Sequence, residues 1–212
     1  MNPLIDHHNT LKSTEIIIKN ALESSMDYSA YRELVRKMAE SQSNTGSEKN
    51  ESLAHYTQLN HKRMNRWDKT LKLSDLIIDR VLAVTQPVTW LVLTESWCGD
   101  ASPSLPVMNK LAELNAYIHL RIVLRDEHPE LMDLFLTNGA RSIPKLIALD
   151  SSSLKVLGEW GPRSKKAKKL VLTEKATYGK IRPEFKQELQ VFYNKDKGEA
   201  IITELLELLT LK

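Results

Sequence analysis

The sequence predicts an α/β fold whose core is extended by helices at both ends of the chain. Three observations support this prediction. The middle of the chain alternates apolar, β-rich runs with stretches of helical spacing. The run VTWLVLT, which begins at Val88, is continuously apolar, as expected for a strand covered on both faces in a mostly parallel sheet. The first third and the tail carry apolar residues at helical spacing.

Three helical patterns fill the first third of the chain. Residues 10–25 carry the first pattern. Asp27 is suited to cap a second helix, whose apolar face runs to Met38. A third helix has its apolar face between Leu53 and Trp67. The polar segment SQSNTGSEKN between the second and third patterns predicts a loop.

The core elements follow in the order helix, strand, helix, strand, helix, hairpin, helix. Ser74 is in place to cap the first of these helices, and VTWLVLT follows it. The sequence then predicts a helix to about Ala116, the strand YIHLRIVLR, and a helix from Pro129 to Asn138 that is ended by Gly139. KLIALD and KVLGEW, joined by SSS, predict the hairpin.

Two further helical patterns, in FKQELQVF and in AIITELLELL, complete the chain. Their apolar faces are predicted to pack on the core or on a partner rather than on a membrane. The chain is therefore predicted to have three parts, which are a helical N-terminal extension (1–73), an α/β core (74–176) and a C-terminal helical extension (177–212).

Composition and charge exclude several classes of protein. The N-terminus MNPLIDHHNTLKSTE lacks the basic start and apolar run of a signal peptide, and no apolar stretch approaches the roughly 20 residues that span a bilayer. One cysteine cannot form an intramolecular disulfide, so we expect a cytoplasmic protein. A net charge of +3 does not indicate nucleic acid, and the basic run RSKKAKKL contains no aromatic residue for stacking. We interpret that run as a solvated helix face.

Four features in order over residues 74–172 resemble the thioredoxin-like superfamily. They are the buried strand ending in TESWCGDA, Pro106 eight residues after Cys98, the segment RSIPKLIALD and the closing hairpin. Pro144 in that segment matches the family's cis-proline. The WCGDA turn and the later EWGPR also resemble an uncharacterised bacterial subgroup of thioredoxin-like proteins. The resemblance implies a three-layer α/β/α fold with a mixed central sheet, to which the helical extensions are additions.

Cys98 is the candidate nucleophile, because it lies at the active turn that the resemblance identifies. Thiol exchange needs a thiolate. If Cys98 lies in the first turn of the next helix, the backbone N–H groups from Gly99 to Ala101 would stabilise that thiolate. Glu95 and Asp100 would raise the thiol pKa if their carboxylates face it. An Asp100 that points outward would instead cap the helix.

Ala101 stands where the family's dithiol reductases have their second cysteine. The resemblance therefore implies that a mixed disulfide at Cys98 must be resolved by glutathione or another small thiol, by a second protein or by a second copy of the chain. Val92 stands where many thioredoxins carry a buried acid that assists proton transfer. Proton handling would then rely on solvent or on Glu95.

The cis-proline segment supplies further candidate site residues. The resemblance implies that Ile143 and Pro144 position a substrate disulfide. Arg141 and Lys145, on either side of them, would attract a carboxylate of glutathione.

Two functions remain open at this point. One is monothiol thiol-disulfide exchange through Cys98, with a protein disulfide or a low-molecular-weight thiol as the partner. The other is a non-redox binding module that holds a protein or peptide in the thioredoxin groove, with Cys98 as a small apolar residue. Trp97 and Trp160 would flank the groove or pack in the core. A peroxiredoxin is disfavoured, because Glu95 stands where those enzymes typically have threonine.

The sequence indicates neither a metal nor a cofactor. The six histidines have no metal-like spacing with other ligands, and one cysteine does not complete a zinc site with them. There is no glycine-rich phosphate loop. The sequence does not indicate an oligomeric state.

Overall fold

The computed structural model describes residues 14–210. Nine helices and four strands within these residues, labelled in chain order, are α1 (14–23), α2 (Tyr28–Glu40), α3 (Glu51–Thr70), α4 (Asp75–Leu82), β1 (Val88–Thr94), α5 (Ala101–Ala112), β2 (Ile118–Leu124), α6 (Pro129–Leu134), β3 (Lys145–Asp150), β4 (Val156–Trp160), α7 (Lys165–Tyr178), α8 (Pro183–Asp196) and α9 (Glu199–Leu208). The first predicted helix is confirmed from residue 14 onwards, and residues 10–13 lie outside the described residues.

The four strands form one mixed sheet in the order β2-β1-β3-β4. β1 pairs parallel to β2, with Val88 opposite Ile118, and antiparallel to β3, with Val88 opposite Asp150. β3 and β4 form the predicted antiparallel hairpin. Every residue of β1 is buried, as its continuous apolar sequence predicts. The predicted α/β fold with a mixed central sheet is therefore confirmed.

The helix after Cys98, α5, ends at Ala112 rather than at about Ala116. The side chain of Asn115 explains the earlier end. Its amide nitrogen donates to the backbone carbonyls of Val81 and Val84, each at 2.8 Å. These contacts hold the chain in a turn that leads into β2, so that a further helical turn does not form.

The next helix, α6, ends at Leu134 and not at Asn138 as predicted. Thr137 and Ala140 exchange backbone hydrogen bonds of 2.9 and 3.1 Å around Asn138 and Gly139. Both of these central residues have positive φ, at 51° and 75°. Gly139 thus belongs to a tight turn of its own rather than to the end of the helix.

The N-terminal extension packs directly on the core. Tyr31, Met64 and Trp67 are buried in the same apolar cluster as the sheet, and α3 contacts α5. Met26, just before α2, exchanges backbone hydrogen bonds of 2.9 and 2.8 Å with Ile122. This bridge covers the outer edge of β2, which would otherwise expose unpaired backbone groups.

The two predicted tail helices are confirmed as α8 and α9, and α9 packs on α5 and β4. The lysines at the start of α7 are exposed, which fits the interpretation of RSKKAKKL as a solvated face. Asp27 caps α2 as predicted, because its Oδ1 accepts from the N–H of Ala30 at 2.8 Å. Ser74 precedes α4 but makes no side-chain cap hydrogen bond. No helix within residues 14–210 is both long and apolar enough to cross a membrane.

Candidate functional site

The chain after β1 brings Cys98 against the cis-proline segment. Residues 95–100 connect β1 to α5 through turns, and Cys98 is 5% exposed. Its thiol donates to the backbone carbonyl of Ile143, with Sγ and the oxygen 3.2 Å apart. The peptide bond between Ile143 and Pro144 is cis, as predicted. The two segments proposed from the sequence as one site therefore lie together.

Cys98 precedes α5, so the condition considered from the sequence, a cysteine in the first turn of this helix, is not met. The helix begins at Ala101, because Gly99 and Asp100 still form a turn. The backbone N–H groups of Asp100 and Ala101 nevertheless reach the thiol and act to lower its pKa. These are two of the three donors that the sequence predicts.

Asp100 is buried beside the cysteine and has two partners. Its Oδ1 accepts from the hydroxyl of Tyr193 at 2.8 Å, and its Oδ2 forms an ion pair of 2.5 Å with Nη2 of Arg163. It makes no side-chain cap hydrogen bond to α5. The alternative in which Asp100 points outward and caps the helix is therefore wrong. The cation and the hydroxyl stabilise the Asp100 carboxylate in this buried position, where an unpaired charge would be unfavourable.

These surroundings keep Cys98 in its thiol form at neutral pH. Burial raises the pKa of Cys98 to about 12, and the negative charge of Asp100 acts in the same direction. The N–H groups of Asp100 and Ala101 and the charge of Arg163 lower the pKa, but by less than burial raises it. Since the thiolate is the nucleophile, the backbone donors do not by themselves activate Cys98.

Glu95 turns its carboxylate toward the N-terminal extension. The side chain is fully buried, one oxygen accepts from the hydroxyl of Thr45, and the other accepts from the N–H of Asp126 at 3.0 Å. Both oxygens therefore have partners away from the thiol. Burial raises the pKa of Glu95, although the hydrogen bonds from Thr45 and Asp126 act to lower it.

Ser96 connects the active turn to α3. Its hydroxyl lies 2.8 Å from the hydroxyl of Thr57 and accepts from the N–H of Thr45 at 3.0 Å. Its carbonyl accepts from Nδ2 of Asn60 at 3.0 Å. Thr57, Asn60 and Ser96 are all buried. The N-terminal extension thus fixes the position of the turn that carries Cys98, through these hydrogen bonds to Ser96.

The buried acid next to the site gives a testable pH dependence. A raised folded-state pKa means that the native protein holds the Glu95 proton to higher pH than the unfolded chain does. Glu95 therefore favours folding most below the ordinary glutamate pKa of 4.5, and this contribution is lost as the pH rises through its raised pKa. Glu95→Gln removes the titration and keeps an oxygen for the N–H of Asp126. We expect the free energy of unfolding of the variant, relative to wild type, to increase as the pH rises from about 4.5 to 7.5.

Urea denaturation across that pH range measures the difference. Glu184→Gln on the exposed start of α8 is a matched control and should follow wild type. A variant that loses stability relative to wild type as the pH rises would show that the hydrogen bonds to the carboxylate outweigh the effect of its burial.

Trp97 forms part of the cleft beside Cys98. The guanidinium of Arg125 lies 4.9 Å from the centre of its ring, within the range of a cation–π contact. A Cβ atom on Gly46 would lie 2.7 Å from Nε1 of Trp97, so the loop can approach the ring only with glycine at this position. For Trp160 the sequence left a place beside the groove and a place in the core equally open. The side chain is buried in the core, where its Nε1 donates to Glu204 at 2.8 Å, and it does not line the cleft.

Arg141 and Lys145, proposed together as carboxylate ligands, lie in different environments. Arg141 is exposed on the cleft rim and forms a double hydrogen bond with Asp133, both contacts at 2.6 Å. Lys145 is buried, with its Nζ 2.5 Å from Glu159, and it does not line the cleft. Only Arg141 is placed to meet a ligand.

The cleft above Cys98 has a volume of about 520 Å³ and is walled by both extensions. α3 contributes Tyr56 and Arg63, and α8 contributes Lys186 and Gln190. Nζ of Lys186 donates to the hydroxyl of Tyr56 at 3.1 Å, which joins α8 to α3. Nε2 of Gln190 donates to the carbonyl of Gly99 at 3.1 Å. These two helices therefore form part of the wall of the cleft above the thiol.

Most of the site residues predicted from the sequence line this cleft, namely Trp97, Cys98, Gly99, Asp100, Arg141 and Ile143. Ala101, Pro144 and Lys145 do not line it. Sequence reasoning missed Arg63, Gln190 and Tyr193, which come from the extensions. Tyr193 follows directly after the apolar stripe of α8, and nothing in that pattern indicates its contact with Asp100. Arg163 begins the run RSKKAKKL, which the sequence analysis interprets as a solvated face. For this residue that interpretation is wrong, because Arg163 is partly buried and forms an ion pair with Asp100.

Among the described residues, no group of three or more histidine, cysteine, aspartate or glutamate side chains is arranged to hold a metal ion.

The fold and the site define a class of protein: a thioredoxin-like fold with a single thiol at its active turn, opposite a cis-proline. A family model described as thioredoxin matches residues 46–179, more than half of the chain. The chain belongs to this thioredoxin family. The match begins before α3 and so includes part of the N-terminal extension as well as the α/β core.

Two solved structures are similar over almost the whole chain. One is a crystal structure of a protein of unknown function from Pseudomonas aeruginosa, with 18% identity, a TM-score of 0.60, and 89% of this chain and 93% of that chain covered. The other is an HIV epitope scaffold, with 16% identity, a TM-score of 0.58, and 90% and 95% covered. At this identity they show a shared fold, which includes the helical additions. No curated protein matches the sequence.

Proposed function

We propose that this protein binds a small ligand in the cleft above Cys98 and does not turn over protein disulfides. The observation that carries the proposal is the pair of helices α3 and α8, which wall the cleft and meet where Lys186 donates to Tyr56. These helices restrict the approach of a folded protein's disulfide to a thiol that is only 5% exposed. A volume of about 520 Å³ lies within the range of small-molecule sites, roughly 300–1,000 Å³.

The state of the thiol supports the same proposal. Cys98 donates its proton to the carbonyl of Ile143, and its pKa is raised to about 12, so almost no thiolate is present at neutral pH. Ala101 supplies no second thiol to release a mixed disulfide. In this function Cys98 is part of the apolar floor of the cleft, and a protein of this kind would operate in a reducing compartment such as the cytoplasm.

Monothiol exchange is the second candidate, because Cys98 lines the cleft beside the cis-proline and receives the N–H groups of Asp100 and Ala101. In this function the Cys98 thiolate attacks a small disulfide and one of its thiolates leaves. An external thiol such as glutathione then attacks the mixed disulfide and regenerates Cys98. Arg141 on the rim would bind a carboxylate of the small thiol.

Wild type and Cys98→Ser distinguish the two candidates. We expect reduction of hydroxyethyl disulfide by glutathione to proceed at the same rate with either protein, at the uncatalysed background. We expect small-molecule ligands found by thermal shift to raise the Tm of both proteins equally, since the thiol is not required for binding. Turnover that disappears in Cys98→Ser would establish the second candidate. Failure of every compound in a chemically diverse small-molecule library to raise the Tm of either protein would contradict the first.

A further inference from the structure

The charges that line the cleft are strongly unbalanced. Five cationic side chains line it, and Asp100 is the one acid among the described residues that do so. Three of the cations have carboxylate partners: Arg125 with Asp126 at 2.7 Å, Arg141 with Asp133 at 2.6 Å, and Arg163 with Asp100 at 2.5 Å. Within the described residues, the remaining two, Arg63 and Lys186, have no carboxylate within 4.0 Å.

Of these two, Arg63 is the cation that requires an explanation. Lys186 is exposed, so water compensates its charge. Arg63 is partly buried on α3, and burial lowers its pKa. Its Nη1 donates to Oδ1 of Asn60 at 3.0 Å, a neutral acceptor. A partly buried cation that has no carboxylate in direct contact is compensated less well than its paired neighbours, so an anionic group of a ligand would be favourable beside it.

The guanidinium of Arg63 lies beside the active turn. A Cβ atom on Gly99 would lie 3.9 Å from Nη1 of Arg63 and 3.9 Å from Nε2 of Gln190. Arg63 also interacts electrostatically with Asp100, the partner of Arg163. The guanidinium groups of Arg63 and Arg163 thus both lie close to residues 99–100 and both line the cleft.

A second, independent observation comes from Arg163. Its Nε–H is buried and, among the described residues, has no hydrogen-bond partner. Arg163 lines the cleft, and its Nη2 is already used by Asp100. An unpaired buried donor is unfavourable, so a ligand acceptor that reaches it gains affinity.

The walls beside this region are apolar. Phe185 and Leu189 of α8 and Val171 of α7 line the cleft and lie below 9% exposure. A ligand that enters would therefore bury an apolar body against α7 and α8 while an anionic group reaches the two guanidinium groups. Guanidinium binds carboxylate and phosphate through two parallel hydrogen bonds, which makes either group a suitable partner.

We propose that the part of the cleft above Gly99 is an anion subsite, in which Arg63 and the Nε–H of Arg163 bind the carboxylate or phosphate of a small ligand with an apolar body. This proposal rests on the proposed function and specifies its ligand class. Arg63 comes from the N-terminal extension, which gives that extension a direct part in ligand recognition.

Three probes with the same apolar chain test the subsite: octanoate, octyl phosphate and the neutral octanol. Binding is measured by titration calorimetry with wild type, Arg63→Gln, Arg63→Lys and the matched control Arg66→Gln. Arg66 is exposed on the same helix and does not line the cleft. Comparison of octanoate with octyl phosphate shows which anion the subsite prefers.

We expect at least one anionic probe to bind wild type about tenfold or more tightly than octanol does, and Arg63→Gln to lose that advantage. Arg63→Lys keeps the charge without the guanidinium geometry and should retain part of it, whereas Arg66→Gln should equal wild type. If octanol binds as tightly as both anions, or if Arg63→Gln leaves their affinities unchanged, the anion subsite is refuted while the binding function stands. If none of the three probes binds, the subsite is also refuted. In that case the thermal-shift search, which uses other ligands, decides the binding function separately.

Discussion

Replacing Asp100 by asparagine is expected to lower the pKa of Cys98 and to increase its alkylation rate at pH 7 by about threefold to fiftyfold, because a thiolate of lower pKa is more abundant but also less nucleophilic. The reason is electrostatic, because the charge of Asp100 is the largest influence after burial that raises this pKa. A nearby like charge typically shifts a pKa by about 1–3 units, and each unit changes the thiolate fraction tenfold. Loss of the carboxylate also frees Arg163 to stabilise the thiolate.

The substitution is conservative in shape, so the comparison reports on charge. Asparagine keeps an oxygen that can accept from the hydroxyl of Tyr193. The measurement is the rate of iodoacetamide labelling of the folded protein between pH 6 and pH 10. Asp79→Asn, on the exposed face of α4, makes the same change in net charge outside the cleft. Its labelling rate should follow that of wild type. An unchanged pH profile in Asp100→Asn would mean that burial alone sets the thiol pKa.

This result bears directly on how the two candidate functions are related. In wild type, burial and Asp100 together outweigh the backbone donors of the active turn. If the charge of Asp100 accounts for most of the rise in the thiol pKa, Asp100→Asn should also exchange with small disulfides faster than wild type does. The binding function and monothiol exchange would then differ by one side chain on the same fold.

The active turn was predictable from sequence because its signals are local. One short segment contains the buried strand, the Trp-Cys pair and the proline eight residues after the cysteine. The cis-proline segment is identified by the short sequence RSIPKLIALD. Both segments lie at the same edge of the sheet, since Cys98 comes after the end of β1 and Pro144 comes directly before β3, which runs antiparallel beside β1. Their proximity is therefore a consequence of sheet topology.

The residues that α3 and α8 contribute to the site could not be predicted in the same way. Gln190 and Tyr193 form hydrogen bonds with Gly99 and Asp100, and Arg63 interacts electrostatically with Asp100. All three are far from the active turn in sequence, and each lies on a helix whose pattern shows only which face is apolar. The direction of the Asp100 carboxylate depended on one of these contacts, which is why sequence left it open. Likewise, the early end of α5 depends on the distant carbonyls that Asn115 binds.

Disconnecting α3 from the active turn is expected to have the largest effect on stability. In the double variant Thr57→Val, Asn60→Leu, the carbonyl of Ser96 loses its donor and the hydroxyl of Ser96 loses one of its partners, in both cases inside the protein. Each buried polar group that loses its partner costs about 1–3 kcal/mol. We expect a loss of about 3 kcal/mol in the free energy of unfolding, and a fall in Tm of about 6–12 °C.

The same variant should also expose the thiol, because Ser96 lies two residues before Cys98 and α3 holds the turn through it. We expect labelling of Cys98 by a neutral maleimide at pH 7 to become faster under conditions in which the protein remains folded. Thr177→Val with Asn109→Leu repeats the chemical changes on helix positions whose side-chain hydrogen bonds are exposed, and it should change Tm and labelling little. If the two double variants lose equal stability, the hydrogen bonds to Ser96 do not hold the turn. If Tm falls while labelling of the folded protein stays at the wild-type rate, α3 stabilises the fold without controlling access to Cys98.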